Sequence, residues 1–222
     1  MRNTLYFVTQ SVAKIDIEKE PKLCFHELLL REQNTGKFPG QSFFNYIATK
    51  NGNREFFEFV GGELRSLLEA DEKRTISINL EIVQLTFEET YYFFNSMKNS
   101  SNRVILELTE RQYKGQSFAT TVQFIRFAKQ LGYTILLDDV DNNNGIKICS
   151  ALAHEVDGVK ISHRLINRMN VTEFSKILLD FKVDYGQYNL TTIVEGVSNQ
   201  NLLEELCSIG INHQQGFYFN DL

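Results

Sequence analysis

The chain has 222 residues, of which 42% are hydrophobic, and it carries a formal net charge of −5 at pH 7. This length can bury one sizeable core, and because no linker rich in Pro, Gly or Ser interrupts it, we expect one domain over residues 1–222. The negative charge argues against a binder of DNA or RNA polymers, which usually presents a basic stripe to phosphate. An anionic substrate would therefore need a local positive charge from a metal ion or an arginine.

Three cysteines, Cys24, Cys149 and Cys207, lie far apart in the sequence and show no C-x-x-C spacing. This pattern is typical of small core residues in a reducing compartment and not of a disulfide framework. The first residues lack the pattern of a signal peptide, and no apolar run approaches the roughly 18 residues of a membrane-spanning helix. We therefore expect a cytoplasmic protein without a membrane partner.

Short apolar runs rich in Ile, Leu and Val alternate along the chain with longer amphipathic segments. The runs that predict strands are residues 23–30, 75–80, 103–109, 134–140, 157–162, 190–197 and 215–219. Because these runs are apolar almost without interruption, both faces of each strand should be covered, as in a parallel sheet.

The segments between these runs carry the boundary signals of helices. Residues 53–70 predict one helix that continues through Gly61 and Gly62, although paired glycines weaken a helix interior. A second helix is predicted to begin with Thr86 and Glu89, which have the spacing of a capping box.

The repeated alternation of strand and helix predicts an α/β protein. About seven repeats favour a TIM-like (β/α)8 barrel, and a doubly wound open sheet is the alternative. Neither a G-x-G-x-x-G motif nor a P-loop follows the first predicted strand, which argues against a nucleotide-binding fold of the Rossmann type.

Polar residues stand near the ends of these apolar strands. They are Glu27, Asn79, Glu107, Asp138, Asp139, Lys160, Glu195 and Gln215. In a parallel barrel the carboxyl ends of the strands open on one face, so these side chains should converge there. Buried carboxylates that converge need a positive charge among them, and oxygen ligands without a cysteine or histidine cluster favour Mg²⁺ or Mn²⁺.

The adjacent pair Asp138 and Asp139 is the most informative feature of this set. Two neighbouring carboxylates at a strand end can hold two cations about 3.5–4 Å apart, the spacing that two-metal phosphoryl-transfer enzymes use. An enolase-like proton abstraction, with Lys160 as the base, fits these residue types nearly as well. Each residue taken alone could also be structural, but all the strands together indicate a metal-dependent barrel enzyme.

Seven motifs along the chain match one known family in the same order. They are ELLLR (27–31), NL (79–80), ELTE (107–110), DD (138–139), VDGVKIS (156–162), EGV (195–197) and QGFYF (215–219), and TQSV (9–12) precedes them. The chain thus resembles the EAL-domain family of cyclic di-GMP phosphodiesterases over nearly its whole length. The resemblance implies a TIM-like barrel with one antiparallel strand, and hydrolysis of cyclic di-GMP to linear pGpG with Mg²⁺ or Mn²⁺.

The resemblance also implies a role for each matched residue. Glu27, Asn79, Glu107 and Asp138 would hold one metal ion, and Asp138, Asp139 and Glu195 would serve a second. Lys160 would orient the attacking water, which places it with Glu27 and Glu195 in the catalytic set. For the substrate, Arg31 would contact a phosphate and Gln215 and Gln10 would support the site, while Glu110 would fasten the loop after the paired aspartates.

One loop and two single residues depart from the family pattern. Val140 to Asn144 replace a Phe-Gly-Thr-Gly loop, Ser162 stands where an aspartate is common, and Ser198 replaces a glutamate. In the family that loop helps to position metal and substrate and contributes to a dimer, so a homodimer is a further implied partner. The altered loop keeps one alternative function open, namely a barrel of weak or no activity that acts as a cyclic di-GMP receptor or a protein-binding regulator.

Overall fold

A computed structural model describes residues 4–16, 18, 20–109, 118–140, 151–162, 171–220 and 222, without the side chains of residues 171, 172 and 182. Its eight strands follow one another in sequence order around a closed barrel. The strands are β1 Leu5–Ile15, β2 Pro21–Glu32, β3 Ile76–Glu81, β4 Val104–Thr109, β5 Thr134–Val140, β6 Gly158–Ile161, β7 Thr191–Val194 and β8 His213–Gln215. The α/β barrel prediction is confirmed, and the open sheet is excluded.

The described residues also form α-helices and short 3-10 turns. The helices are α1 Gln41–Ile47, α2 Lys50–Ala70, α3 Glu88–Ser96, α4 Phe118–Gln130, α5 Val171–Tyr185 and α6 Gln200–Ser208. The 3-10 turns are Ile82–Thr86, Lys98–Arg103, Gly186–Tyr188 and Phe217–Phe219. None of the described helices combines the length and the hydropathy that crossing a membrane requires.

The chain divides into two compact units. The first unit comprises Met1–Thr9 and His26–Thr134, and the second comprises Gln10–Phe25 and Ile135–Leu222. The single domain over residues 1–222 stays a prediction.

In the first unit, strands β2, β3 and β4 are parallel and helices α2 and α3 pack closely. Helix α2 runs without interruption through the paired glycines, as predicted. A Cβ at Gly61 would lie 2.8 Å from the ring of Phe93 on α3, so glycine permits this close approach. The cost of glycine in a helix is thus offset by packing.

The core of the first unit is centred on Phe94 of α3, which is fully buried. Its ring lies 5.6 Å from that of Phe57, 5.7 Å from that of Phe124 and 5.3 Å from that of Tyr133, measured between centroids. The Tyr133 hydroxyl donates a hydrogen bond of 2.8 Å to the Phe94 carbonyl, and burial raises the pKa of Tyr133. The aromatic residues of α3 and α4 are therefore mainly structural.

In the second unit, strands β5 to β8 are parallel and β1 pairs antiparallel with β8, as the resemblance implied. A Cβ at Gly158 would lie 2.5 Å from the Thr191 carbonyl oxygen of β7. Glycine therefore allows β6 to approach β7 closely, just before the position of Lys160.

Two strand predictions need correction. Strand β1 was missed, because only its residues 11–13 form a buried run and its first half carries exposed and half-buried positions. The stretch at 215–219 is not a strand, because β8 ends at Gln215 and a 3-10 turn follows. Within this turn, the Tyr218 N–H donates to the Val197 carbonyl at 3.1 Å and does not extend the pairing of β8 with β7.

Two local predictions are also wrong. The predicted capping box of Thr86 and Glu89 is not formed, because the hydroxyl of Thr86 donates to the Val83 carbonyl at 2.7 Å. A capping box is formed instead by Glu81 and Gln84, at the start of the preceding 3-10 turn. Cys24 is exposed and is not a core residue, because it lies on the part of β2 where three consecutive side chains face solvent.

Candidate active site

The first unit brings three predicted ligands onto neighbouring strands. The amide Nδ2 of Asn79 on β3 donates to Oε1 of Glu27 on β2 at 2.6 Å, and Asn79 is in register with Glu107 on β4. Glu27 is 4% exposed and Glu107 is 0% exposed. Because a buried carboxylate is costly without compensation, this part of the first unit is suited to hold a positive charge.

Arg31 lies at the end of β2 and is half-buried. Its Nη1 donates to the backbone carbonyl of Leu30 at 2.8 Å, so the guanidinium group is held against its own strand. The fork of the guanidinium has further N–H donors, which suit a phosphate. Its phosphate contact stays a prediction.

The second unit is organised around Lys160 of β6, which is fully buried. Its Nζ lies 2.9 Å from Oε1 of Glu195, which follows β7, and 3.4 Å from Oδ1 of Asp138 on β5. Three successive parallel strands therefore supply one ammonium group and the two carboxylates beside it. Such buried, charge-assisted contacts hold the lysine in a defined position.

The paired aspartates owe their arrangement to a distortion of β5. The pairing of β5 with β6 shifts register between Leu137 and Val140, and Asp139 has a left-handed φ of 55°. In a regular strand, adjacent side chains point to opposite faces, but a bulge can re-aim one of them. Here Asp138 contacts Lys160 while Asp139 accepts a 3.2 Å hydrogen bond from Ser162 Oγ, two residues further along the partner segment. Both aspartates thus face the same side.

The last two motifs of the chain hold each other in place. The N–H of Val197 donates to the Gln215 carbonyl at 2.9 Å, and a Cβ at Gly216 would lie 2.1 Å from the Val197 carbonyl oxygen. Glycine is therefore required where the QGF segment meets the EGV segment. With its backbone fixed, Gln215 donates through Nε2 to Oε1 of Gln10 at 3.1 Å, which brings these two predicted substrate residues together.

Some predicted features cannot be placed. Glu110 and residues 141–144 of the altered loop lie outside the described residues, as does Cys149. Of the altered loop only Val140 is described, and it is buried at the end of β5. Ser162, which departs from the family pattern, is buried and contacts Asp139.

One polar residue near the site was missed in the sequence. Glu81 ends β3, is 6% exposed, and stands two positions after Asn79, in register with Thr109 of β4. The alternation of side chains along a strand places it on the same face as Asn79. The period-two pattern of Ser77, Asn79 and Glu81 was the available signal.

The predicted ligands are hard oxygen donors, which suit Mg²⁺ or Mn²⁺ and not zinc. Over the described part of the chain, no group of three or more His, Cys, Asp or Glu residues could hold a metal ion. The described acids are arranged instead around the Asn79 amide in one unit and the Lys160 ammonium group in the other. The donor chemistry therefore fits the implied ions, and the metal contacts themselves stay a prediction.

Fold and strand-end residues together define a class: an α/β barrel whose parallel strands end in acids, an amide and a buried lysine. The family model described as "EAL domain" matches residues 6–221, so the chain belongs to the EAL domain family.

Individual relatives agree with this assignment. The probable cyclic di-GMP phosphodiesterase PdeG of Escherichia coli (strain K12) is 29% identical over 141 residues, which cover 62% of this chain and 27% of PdeG. The probable cyclic di-GMP phosphodiesterase PdeN of the same organism is 24% identical over 212 residues, which cover 87% of this chain and 39% of PdeN. The chain therefore spans well under half the length of either relative.

A solved structure supports the fold. The FimX EAL domain from Pseudomonas aeruginosa, bound to c-di-GMP, matches with a TM-score of 0.79 and 18% identity over 98% of this chain and 90% of that one. At this identity the likeness establishes the barrel fold and not the activity.

Proposed function

We propose that this protein is a metal-dependent phosphodiesterase that hydrolyses cyclic di-GMP to linear pGpG and so lowers the level of this second messenger. The observation that carries the proposal is the buried Lys160 held between Asp138 and Glu195 in a chain of the EAL domain family. The names of the relatives PdeG and PdeN support the same activity. The proposed partner is thus cyclic di-GMP, while the homodimer and the cytoplasmic location stay predictions.

The acids would divide the metal ligands between them. Glu27, Asn79, Glu107 and Asp138 would hold one ion, and Asp138, Asp139 and Glu195 a second. Bound Mg²⁺ or Mn²⁺ would lower the pKa of a water molecule and offset the negative charge that develops on the phosphate. The support from this chain is that each unit presents buried carboxylates at the ends of parallel strands.

Lys160 would orient the attacking water. The contacts of its ammonium group with Glu195 at 2.9 Å and Asp138 at 3.4 Å support this role, because they hold the group in a defined position. Arg31 would contact a substrate phosphate with its remaining donors, and the Gln10–Gln215 pair would border the same substrate.

The test is a product analysis with purified protein. Cyclic di-GMP is incubated with added Mg²⁺ or Mn²⁺, or with a chelator, and products are separated by chromatography. We expect pGpG in the presence of metal, none with the chelator, and a loss on the order of 100-fold for Glu27→Gln. Glu69→Gln, on an exposed position of α2, is the matched control. Binding of metal and cyclic di-GMP without any linear product would support the receptor alternative instead.

A further inference from the structure

Strand β1 is much longer than the strand that pairs with it on one side. It has 11 residues, Leu5–Ile15, whereas β8 has 3, and the pairing of the two strands ends at Val12 with Gln215. The chain after β8 does not continue along β1, because a 3-10 turn follows in which the Tyr218 N–H donates to the Val197 carbonyl. Among the strands that the structure describes, the first half of β1 therefore has one neighbour, β2.

Two hydrogen bonds show which backbone groups of β1 face the other edge. The N–H of Ile15 donates to the Asn212 carbonyl beside β8 at 2.8 Å, and the carbonyl of Thr4 accepts from the Gln33 N–H beside β2 at 2.9 Å. Backbone groups alternate between the two edges of a strand, so odd-numbered residues of β1 direct theirs to the β8 side and even-numbered residues to the β2 side. The contacts at the two ends of β1 fit the same alternation. We call the β8 side of residues 5–9 the open edge, and the backbone groups that face it are those of Leu5, Phe7 and Thr9.

The side chains of this segment fix it in place and leave one face exposed. Leu5 is buried, and the ring of Phe7 stacks on that of Phe59 of α2 with 4.9 Å between centroids. Tyr6 and Val8 alternate with these residues and lie on the opposite face, where each is 36% exposed. The open edge thus belongs to a strand that is held by packing and carries two exposed side chains of large apolar area.

The sequence of this strand contains none of the usual protection of an edge. Natural sheets block an exposed edge with lysine, proline, a bulge or a very short strand. Residues 5–13, LYFVTQSVA, carry neither a charge nor a proline, and the first charged residue of β1 is Lys14. Their aromatic and β-branched side chains also favour the extended backbone. An unprotected edge of this kind can add a strand from another chain, with main-chain hydrogen bonds supplying the affinity.

We propose that the open edge binds the same segment of a second copy of this chain, so that the two β1 strands pair antiparallel about Phe7. This register sets Phe7 against Phe7 of the partner subunit and Leu5 against Thr9 of the partner subunit. Because these residues direct their backbone groups outward, both are hydrogen-bonded pairs. Tyr6 then stands opposite Val8 of the partner subunit, and an aromatic residue opposite a β-branched one is a favourable cross-strand pair. The segment is complementary to itself, and two-fold pairing closes at two copies.

This interface differs from the dimer contact that the family resemblance implies. That contact involves the loop after the paired aspartates, which follow Ile135 in the second unit, whereas residues 5–9 belong to the first unit. The inference also does not depend on the proposed function, because it uses backbone groups and exposed side chains of β1 and no step of hydrolysis.

Charges at the two exposed positions test the register. Sedimentation equilibrium over a range of protein concentrations should show wild type as a dimer. Tyr6→Lys/Val8→Lys places like charges opposite each other across the interface and should raise the Kd of the dimer at least about tenfold. Tyr6→Lys/Val8→Glu places opposite charges there and should recover most of this loss. Net charge cannot produce that order, because the variant with two lysines has the smaller net negative charge.

A matched control is Tyr92→Lys, at a 69% exposed position of α3, which should leave the Kd unchanged. A wild type that stays monomeric would overturn the proposal. A dimer that persists in Tyr6→Lys/Val8→Lys would also overturn it, because that dimer would use another surface, and open-ended assemblies would contradict the two-fold pairing. Thermal unfolding of each variant verifies that it is folded.

Amide hydrogen exchange gives a second readout at single residues. Raising the concentration of wild type should slow exchange at Phe7 and Thr9, whose N–H groups face the open edge. Exchange at Tyr6 and Val8 should change much less, because their N–H groups face β2. The slowing should be lost in Tyr6→Lys/Val8→Lys. Concentration-dependent protection that is absent from Phe7 and Thr9, or that occurs in other elements instead, would overturn the proposal.

Discussion

The two units compensate their strand-end carboxylates in different ways. In the first unit, Glu27 accepts a hydrogen bond from the neutral amide of Asn79, whereas in the second unit Asp138 and Glu195 share the ammonium group of Lys160. A full positive charge offsets two carboxylates at once, while an amide satisfies one acceptor. The stability of the second unit should therefore depend more on Lys160 than the stability of the first unit depends on Asn79.

The largest expected effect is the removal of the ammonium group by Lys160→Met. Loss of one partner from a buried ion pair leaves an uncompensated charge, which costs about 3–5 kcal/mol in free energy of unfolding. Urea denaturation measures this loss, and Lys176→Met on the exposed side of α5 is the control. If both variants lose the same small amount, Lys160 does not carry the charge balance of this unit.

A smaller loss is expected in the first unit for Asn79→Leu. This change removes the amide that donates to the buried Glu27 carboxylate, which should lower the free energy of unfolding by about 1–3 kcal/mol. The same denaturation experiment applies, with Asn95→Leu on the exposed face of α3 as the matched substitution. A loss as large as that of Lys160→Met would contradict the contrast between the two units.

Because the backbone of Asp139 is left-handed, glycine should be more stable than alanine at this position, the reverse of their order in a helix. A non-glycine residue in this region costs roughly 1–2 kcal/mol, so Asp139→Gly should be more stable than Asp139→Ala by about 1 kcal/mol. In the middle of α5 the order should reverse, with Asp180→Ala more stable than Asp180→Gly by about 1 kcal/mol. The same order at both positions would argue against the strained turn after Asp138.

The smallest effect is a pH dependence from one histidine in each unit. Burial first, and then nearby cations, lower the pKa of His213 beside Lys14 and of His26 beside Arg74, while Asp71 opposes the shift of His26. Because the unfolded chain takes up these protons first, stability should fall as pH drops below about 6.5 and level off below the lowered pKa values.

Asparagine substitutions test how much each histidine contributes to this pH dependence. His213→Asn and His26→Asn should each flatten the fall in the free energy of unfolding between neutral and acidic pH, and the double variant should flatten it further. Unfolding curves across that range measure the effect. A steeper fall in any of these variants would contradict the sign.

Much of the site could be predicted because strand ends are visible in the sequence. Lys160, Asp138 and Glu195 each follow or end an apolar run, and the closed barrel places β5, β6 and β7 side by side. Charge balance predicts a cation near these acids. The prediction assigned that charge to a metal ion, and in the structure the Lys160 ammonium group lies beside Asp138 and Glu195.

Other parts could not be predicted, for identifiable reasons. The turn at Asp139 depends on the register of β5 against β6, which no local pattern encodes. Strand β1 lacks the apolar run that marks the other strands, because much of its first half is exposed. The period-two pattern places Glu81 on the same face as Asn79, but its hydrogen bonds with Gln84 depend on the 3-10 turn that follows β3, which the sequence did not predict.

The central claim is that Glu27 and Glu195 are needed for the same step of the proposed hydrolysis. Its most direct test is the initial rate of cyclic di-GMP hydrolysis for Glu27→Gln, Glu195→Gln and the double variant, with metal in excess. Each single change should lower kcat by on the order of 100-fold or more. The effects of mutating groups that act together are not additive, so the double variant should be no slower than the slower of the two single variants. A loss in the double variant equal to the product of the two single losses would contradict the claim.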